Sequence, residues 1–387
     1  MKGIIEVKRP RDWKYFHRVP HQVYKNNPNY IFPLQKDVQD VFNPSVNKRF
    51  DQGEARCFVL LDNRRAVGRI ATFIDHEHNK TQPYPIGGIG FFECINNEDY
   101  AFQLFEKAEQ VLRERGVKAI DGPINFGERD RFWGLLVKGF DTPAIYQENY
   151  HPPHYQQWFE KFGFRPYEQI LTFKGATGKL PFERLTAIAK RIKQRAPIKV
   201  RPFKFSELDD FAKDLTIIYN ASFKQFPHFH PIEAQQVAKL IKQAKAIIDP
   251  ELVCLTYYDG HPSGFVLVYP DINPLLRHAK GKLNAWTIPI FLLKNKMQKT
   301  YTAKGLGFGV HPDFKSKGIF AILIDHLSTP RVLKNYPQMV LAGIRTQNHE
   351  IRSMYAKINV EIDRVHVHFR KMLDDSIPFE PNEFIEV

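Results

Sequence analysis

The sequence predicts an α/β (α+β) fold arranged as two tandem domains. The chain has 387 residues, of which 43% are apolar and 25% charged, so its composition is globular and its length exceeds that of one ordinary core. In each half the residue pattern predicts the same order of elements: a hairpin, a strand, a helix, a strand, a helix and a strand. We therefore place a first domain at 1–178, a linker helix at 179–198 and a second domain at 199–387.

The elements of the first half follow an aromatic, basic N-terminal stretch that prolines interrupt. A D-N-R-R turn separates the two strands of the hairpin, and Gly116 suits the C-cap of the first long helix. The prediction is a hairpin at 56–75, strands at 87–95, 117–120 and 170–174, and helices at 101–115 and 155–162.

The second half opens with the linker, whose basic amphipathic pattern we interpret as a surface helix rather than a membrane-docking one. Ser206 predicts an N-cap for the helix that follows. Residues 270–302 form an insertion that is more apolar than a solvent loop, so we expect it to cover part of the functional site. The prediction is strands at 199–203, 305–310, 339–344 and 364–371, a hairpin at 252–268, and helices at 206–219, 231–246, from 319 onward and at 348–355.

Charge and cysteine content limit the partners of the protein. Lysine plus arginine exceeds aspartate plus glutamate by 56 − 42 = 14, which favours anionic partners such as phosphates, acidic substrates, nucleic acid or lipid headgroups. The basic residues are scattered and no aromatic-interleaved basic motif stands out, so nucleic acid is not favoured. Cys57, Cys94 and Cys254 lie far apart in apolar runs, which predicts buried reduced thiols and neither a disulfide nor a metal site.

The sequence gives no signal for a membrane segment. The N-terminus, M-K-G-I-I-E-V-K-R-P, is too charged for the apolar part of a signal peptide. The apolar run at 288–293 is far shorter than a membrane span. We therefore expect a cytoplasmic protein with no membrane partner.

A basic glycine loop follows the most glycine-rich strand. The residues are K-G-L-G-F-G-V, then a His311-Pro312-Asp313 turn, then F-K-S-K-G and an apolar helix. Backbone N–H groups and the dipole at the start of a helix favour a phosphate, and two lysines add positive charge. Taken alone, the loop fits an ordinary strand-to-helix connection equally well.

The order of elements and this loop resemble the GNAT superfamily of acyl-CoA N-acyltransferases. That family's first motif is Arg/Gln-x-x-Gly-x-Gly/Ala, to which Lys315 and Gly318 correspond, with Lys for Arg/Gln and Phe320 for the last small residue. The resemblance implies two tandem GNAT-like domains, each a mixed central sheet flanked by helices, and a site for acetyl-CoA or another acyl-CoA in the second. The coenzyme-binding residues it implies are Leu306, Gly307, Phe308, Gly309, Val310, Lys315, Ser316, Lys317, Gly318, Ile319 and Phe320.

The second GNAT motif, roughly N-x-x-A-x-x-L-Y-x-K-x-G-F, is similar to the stretch that begins at Asn348. Tyr355 and Lys357 match it, and Asn359-Val360 replaces Gly-Phe. The resemblance implies that Tyr355 is the general acid and that Asn348 belongs to the catalytic site.

The first domain ends its second helix with Y-Q-Q-W-F-E-K-F-G-F-R, which is also similar to the close of that motif. However, Glu98 and Asp99 stand where the phosphate loop should be. They cap a helix well but repel a diphosphate. We therefore expect the first domain to be a degenerate GNAT fold without a coenzyme site.

The stretch 121–155 is too long for a plain connection and rich in aromatic residues, which argues against disorder. Its phrases G-P-I-N-F, G-F-D-T-P and Y-H-P-P-H-Y resemble a group of bacterial tandem GNAT-like proteins. Acceptor binding and domain packing explain it equally well. The candidate acceptor-binding residues are Asn125, Arg129, Trp133, Asp141 and Tyr150.

No general base is evident. Glu93, His311 and Glu350 are candidates, but a surface or structural role fits each of them better. His228 and His230 suggest a metal only weakly, since no carboxylate or cysteine pattern accompanies them, and we predict no metal site.

The function that the sequence favours is acyl-CoA-dependent N-acyl transfer, in the form of acetyl transfer to a small-molecule or peptide amine held between the two domains. The alternatives are an aminoacyl-tRNA-dependent transferase of the peptidoglycan-bridge type, with tRNA as the only nucleic-acid partner, and a non-catalytic acyl-CoA-binding module.

Overall fold

The computed structural model describes residues 2–224, 231–356 and 358–387. Within them, strands and helices alternate and the strands join one mixed sheet, so the predicted α/β (α+β) class is confirmed. The strands are β1 (Lys2–Glu6), β2 (Gly53–Asp62), β3 (Arg65–Asp75), β4 (Ile86–Cys94), β5 (Ala119–Gly122), β6 (Leu135–Lys138), β7 (Arg165–Ala176), β8 (Ile198–Pro202), β9 (Val253–Tyr258), β10 (His261–Pro270), β11 (Thr302–Val310), β12 (Gln338–Arg345) and β13 (Glu361–Met372). The helices are α1 (Asp12–Val23), α2 (Gln35–Val41), α3 (His76–Asn79), α4 (Glu98–Arg113), α5 (Tyr155–Lys161), α6 (Phe182–Arg195), α7 (Leu208–Phe223), α8 (Ala234–Gln243), α9 (Asn273–Leu276), α10 (Thr287–Met297), α11 (Ile319–Leu327), α12 (Pro330–Asn335) and α13 (His349–Tyr355).

The sheet runs without a break from one half of the chain to the other. Its order is β1-β2-β3-β4-β5-β13-β7-β12-β11-β10-β9-β8, and β6 also pairs with β13. The described neighbours are antiparallel except β4 with β5 and β11 with β12, which are parallel. A helical crossover joins each parallel pair, α4 in the first half and α11 with α12 in the second, as parallel strands require.

The last strand of the chain lies among the strands of the first half. β13 pairs with β5, where Phe369 is opposite Gly122, and with β7 on its other side. β7 in turn pairs with β12. Val367 and Phe369 are buried in the core of the first half. The C-terminal strand therefore completes the first half, although it follows every element of the second.

Both parallel strand pairs come apart partway along their length. β4 and β5 pair only over 86–88 and 119–121. β11 and β12 pair only over 302–305 and 338–341. Parted strands leave backbone N–H and C=O groups on their inner edges that need other partners. The two gaps are thus places where a side chain or a ligand can enter the sheet.

Each half has its own apolar core between the sheet and its helices. The N-cap of helix α4 is Asn97, whose side chain accepts a hydrogen bond from the Tyr100 N–H at 3.0 Å. The buried residues of α4 recur at helical spacing. The first core includes Phe58, Ile70, Phe92, Phe105 and Phe159, and the second includes Phe211, Leu255, Phe265, Ile319 and Leu323.

The linker helix α6 lies against α11. Ala189 packs with Ala321 and Ile322, while most other residues of α6 are exposed or half-buried. Helix α7 begins at Leu208 after a 3-10 turn and has no side-chain cap, so the predicted Ser206 N-cap is wrong.

The insertion between β10 and β11 folds as α9 and α10 and rests on the first half. The Gly281 carbonyl accepts a hydrogen bond from the Gln35 N–H at 2.8 Å. Phe291 is buried with Ile31 and Leu34. Across residues 2–224, 231–356 and 358–387, no helix is long and apolar enough to cross a bilayer.

Candidate active site

The gap between β11 and β12 is bordered by the glycine strand. Beyond Gly305, β11 keeps only β10 as a partner, with Gly307 opposite Leu267 and Gly309 opposite Phe265. The register shifts at the backbone of Leu306, which is one residue more than β10 provides. In the described part of the chain, no side chain bonds to the backbone of 307–310. The inner edge of this strand is therefore open to a ligand.

Two glycines beside the gap are required by packing. A side-chain carbon at Gly309 would lie 2.4 Å from the Phe265 ring. At Gly318 it would lie 2.2 Å from Ile192 of α6, and the backbone there has φ +71°, which favours glycine. These two residues are therefore glycine for structural reasons, whether or not a coenzyme binds.

The loop between β11 and α11 carries its charge at the surface. It forms a 3-10 helix, Pro312–Lys317, and Gly318 then leads into α11. Lys315, Ser316 and Lys317 are exposed, and the Lys317 ammonium lies 5.5 Å from the centre of the Tyr258 ring. Neither lysine pairs with a carboxylate among the residues that the structure describes. Two unpaired ammonium groups beside a helix N-terminus suit a phosphate group.

The last two predicted coenzyme residues lie inside α11. Ile319 is fully buried in the second core. Phe320 is half-buried, and its ring centre lies 5.2 Å from that of Phe308 on β11. The predicted set thus falls into three adjacent segments, namely the parted strand, the loop and the start of α11, where Ile319 is turned toward the core.

Tyr355 is the last residue of helix α13 and packs against strands β7 and β13. Its ring meets Phe173 edge-on at 5.2 Å and shares a cluster with Leu171 and Val365. Its hydroxyl has no hydrogen-bond partner within the described residues. Burial raises the pKa of Tyr355 above the ordinary value of 10.0. The phenol therefore keeps its proton at neutral pH and can donate it, although less readily than an exposed phenol.

Asn348 lies at the other end of the same helix. It is the N-cap of α13, and its side chain accepts a hydrogen bond from the Ile351 N–H at 3.2 Å. Seven residues at about 1.5 Å each separate it from Tyr355 by roughly 10 Å along the axis. The structure therefore does not bring these two predicted catalytic residues together, and Lys357 lies outside the described residues.

The corresponding gap in the first half is filled by protein. Beyond Gly88, the Tyr155 hydroxyl accepts from the Cys94 N–H at 2.7 Å and lies 2.8 Å from the Cys94 carbonyl. Tyr24 donates to Glu93 on the same strand at 2.8 Å. The edge of β4 that β5 leaves open is thus paired with side chains. Glu98 begins α4 here and pairs with Lys161 at 2.8 Å.

Glu93 is the most enclosed of the candidate bases. Burial raises its pKa from 4.5 to about 7, although Arg69, 3.9 Å away, opposes the change. Its other side-chain contacts are Tyr24 and Tyr155, both fully enclosed. His311 accepts a bond from the Asp313 N–H at 3.4 Å, and Glu350 is exposed.

Three of the five predicted acceptor residues meet at one cavity. Asn125, Arg129 and Trp133 line a space of about 160 Å³ beside Asp121 at the end of β5. The Arg129 guanidinium lies 4.9 Å from the Trp133 ring.

The other two predicted acceptor residues lie away from this cavity. Asp141 is on an exposed turn. Tyr150 is buried against Tyr24 and Tyr30 and donates to the Phe140 carbonyl at 2.8 Å.

A row of buried charges, missed by the sequence analysis, crosses the sheet beside this cavity. We call Asp121, His368, Glu168 and Arg345 the ion ladder, since they lie on the successive strands β5, β13, β7 and β12. His368 is 3.0 Å from Asp121 and 3.7 Å from Glu168, which is 3.3 Å from Arg345. Arg370 also pairs with Asp121 through two bonds of 2.6 and 2.8 Å. The sequence R-V-H-V-H-F-R could have indicated the ladder, because its arginines and histidines occupy every second position and so share one face of a strand.

Contacts within the ladder shift the pKa values of His368 and Glu168 in opposite directions. Burial alone would lower the pKa of His368, but Asp121 and Glu168 outweigh it and raise that pKa above 6.5. Burial acts to raise the pKa of Glu168, but His368 and Arg345 lower it to about 2. The opposite charges of the ladder thus favour the ionised forms of His368 and Glu168.

No group of histidine, cysteine and acidic side chains suited to a metal ion occurs in the described ranges. His228 and His230, for which we predict no metal, lie outside these ranges.

No family-wide sequence profile matches the chain. It is 30% identical over 322 residues to a protein of Caulobacter vibrioides (strain NA1000 / CB15N) named bacterial ceramide synthase, a match that covers 81% of this chain and 82% of that protein. It is 24% identical over 355 residues to protein YghO of Escherichia coli (strain K12), with 90% of each chain covered.

Two solved structures are similar in fold. A tandem GNAT protein from the clavulanic acid biosynthesis pathway superposes with a TM-score of 0.56 at 10% identity, over 96% of this chain and 98% of that one. A glucosamine N-acetyltransferase region of a fungal multi-domain β-N-acetylglucosaminidase gives 0.55 at 12% identity, over 96% and 38%.

Proposed function

Because the chain belongs to the GNAT superfamily, in one family with the bacterial ceramide synthase of Caulobacter vibrioides, we propose that this N-acyltransferase moves a long acyl chain from coenzyme A to a long-chain amino alcohol. A ceramide is the amide of a fatty acid and such an amine, which gives the class of donor and acceptor. The acetyl group expected from the sequence is the shorter alternative.

The gap between β11 and β12 carries this proposal. Its open strand edge, 307–310, is followed directly by a surface loop with two unpaired lysines and by α11. Bound there, an acyl-CoA supplies an activated acyl carbon. Lys315 and Lys317 hold its phosphates, and backbone N–H groups of the open edge stabilise the negative charge that develops on the carbonyl oxygen.

In this proposal the acceptor amine bonds to the acyl carbon as the carbon–sulfur bond breaks. Tyr355 gives its proton to the departing thiolate and regains one from the amine, which loses a proton on forming the amide. The Tyr355 phenol is protonated at neutral pH and has no competing partner among the described residues. Asn125, Arg129 and Trp133 are our proposal for contacts to the acceptor, at the cavity that adjoins the ion ladder.

The experiment is an amide-forming assay with the purified full chain and mass-spectrometric detection. Acetyl-CoA, palmitoyl-CoA and a mixture of aminoacyl-tRNAs are each offered with sphinganine or with ethanolamine. Since each buried CH₂ contributes about 0.8 kcal/mol, we expect palmitoyl-CoA with sphinganine to exceed acetyl-CoA in kcat/KM by well over tenfold. Equal or faster turnover with acetyl-CoA, transfer from aminoacyl-tRNA, or no amide from any pair would overturn the proposal.

A further inference from the structure

Helix α10 exposes more large apolar surface than a helix facing water normally does. Trp286, at its N-cap, is 84% exposed, Leu293 58% and Met297 69%. Ile288, Ile290 and Leu292 are also exposed on the same helix. A contiguous exposed apolar patch on a protein surface usually marks an interaction site.

Four of them, Trp286, Ile290, Leu293 and Met297, form one stripe. Their spacing, 286, 290, 293 and 297, repeats every three or four residues and therefore follows one side of a helix. At about 100° per residue, Lys294 lies roughly 80° to one side of Trp286 and Lys296 roughly 80° to the other. Both lysines are exposed. The stripe thus has an ammonium group along each flank.

Phe291 and Asn295, which lie away from the stripe, fix α10 to the protein. Phe291 is buried in the cluster with Ile31 and Leu34. The Asn295 side chain donates to the Ala246 carbonyl at 3.2 Å, and the Tyr301 hydroxyl donates to the Asn295 carbonyl at 2.7 Å. The stripe is therefore held outward by a packed base.

The segment that carries the stripe is basic. Residues 272–300 contain no aspartate or glutamate. In the described structure none of their lysines pairs with a carboxylate. The cationic residues of this segment are Arg277, Lys280, Lys282, Lys294, Lys296 and Lys299.

We propose that α10 docks the protein on an anionic lipid surface, with the stripe in the headgroup boundary and the lysines against lipid phosphates. An apolar face that carries tryptophan and leucine, flanked by lysines whose stems cover apolar surface, fits such a boundary. A second copy of this chain fits poorly, since it would bring an equally cationic surface to the same place. The docking requires no membrane-spanning helix and revises the expectation of no membrane partner.

The inference adds to the proposed function, because a long-chain amino alcohol resides in a membrane, but it rests on α10 itself. Its test therefore uses neither acyl donor nor acceptor. The full chain is floated with phosphatidylcholine vesicles that contain or lack phosphatidylglycerol. We expect flotation with the anionic vesicles and little with the neutral ones.

Three variants separate the contributions. Trp286→Glu with Leu293→Glu removes apolar contact, and Lys294→Glu with Lys296→Glu reverses two charges; each should weaken binding about 10-fold or more. Val46→Glu, at an exposed apolar residue in the first half, is the matched control and should float like the original protein. Equal flotation of the Trp286/Leu293 variant would overturn the proposal.

Size-exclusion chromatography of the same proteins tests whether a second copy of the chain, and not a lipid surface, covers the stripe. A dimer that the Trp286/Leu293 variant disrupts, together with no vesicle binding, would make the stripe a self-association surface and overturn lipid docking. In detergent-dispersed substrate all four proteins should have equal acyl-transfer activity, so loss of docking is distinguishable from failure of the proposed function.

Discussion

At the scale of single residues, two tyrosines on equivalent helices have opposite surroundings. Tyr155 bonds to both backbone groups of Cys94 and to Glu93, so its hydroxyl is fully used. Tyr355 packs its ring but leaves its hydroxyl without a partner in the described structure. The first arrangement closes a gap in the sheet, and the second leaves a phenol whose proton is free to be donated.

Replacement of Tyr355 by Phe keeps the ring and removes that proton. Acid catalysis contributes about 10²–10⁴-fold, so Tyr355→Phe should lose turnover by this factor and retain acyl-CoA affinity. Turnover is measured in a timed amide-forming assay, and acyl-CoA affinity is measured by calorimetry. Full turnover in Tyr355→Phe would leave the residue a packing role only.

Tyr155→Phe is the matched control. It should leave the chemical step intact and lower the free energy of unfolding by about 1–3 kcal/mol, because it removes buried hydrogen bonds. A large loss of turnover with unchanged stability would place the chemistry in the first half instead.

Glu93 predicts a pH dependence of stability. Its pKa is about 7 in the folded protein against an ordinary 4.5, so folding favours the protonated form. The stability it contributes is fully present below pH 4.5 and is lost as the pH rises through 7, at no more than about 1.4 kcal/mol per unit. Glu93→Gln should flatten the fall of Tm across this window. Exposed Glu350→Gln should keep the original slope, and an unchanged slope in Glu93→Gln would contradict the assignment.

Residue patterns predicted part of the site. The glycine strand, the basic loop and the helix that carries Tyr355 can be read locally, since each is a continuous segment. The ion ladder cannot, because Asp121 and His368 are far apart in sequence and meet only when β13 pairs with β5. The resemblance implies that Asn348 belongs to the catalytic site, and in the structure it caps the start of the helix that Tyr355 ends.

At the scale of elements, the loop before α11 is the part most specific to a phosphate ligand. Substitution of Gly318 is a poor test of it, since any side chain there would meet Ile192 and strain the backbone. Lys315 is exposed and unpaired in the described structure, so its charge can be changed without disturbing the fold.

Lys315→Glu should weaken acyl-CoA binding by on the order of 1.5–3 kcal/mol, or roughly 10- to 100-fold in Kd, because a charged phosphate contact is lost. Lys239→Glu makes the same charge change at an exposed site on α8 and should leave Kd unaltered. Equal Kd in both variants would move the coenzyme away from this loop.

At the scale of the whole molecule, the tandem GNAT fold predicted from the repeated order of elements is confirmed by the tandem GNAT structure that covers 96% of this chain. The exchange of β13 into the first half was beyond prediction, because periodicity fixes which face of a strand is buried but not which distant strand it pairs with. One consequence is that both gaps lie in a single sheet, in which β7 and β13 connect the strands of the two halves. We still propose that the first domain corresponds to residues 1–178 and the second to residues 199–387.

The two gaps of this sheet differ in a way that one titration can measure. Tyr155, Tyr24 and Glu93 fill the first gap, while the strand edge at 307–310 is open in the second. Isothermal titration calorimetry with palmitoyl-CoA should give one site per chain, and Lys315→Glu should weaken that site. Two sites per chain, or one site that is indifferent to Lys315→Glu, would contradict a single coenzyme site between β11 and β12.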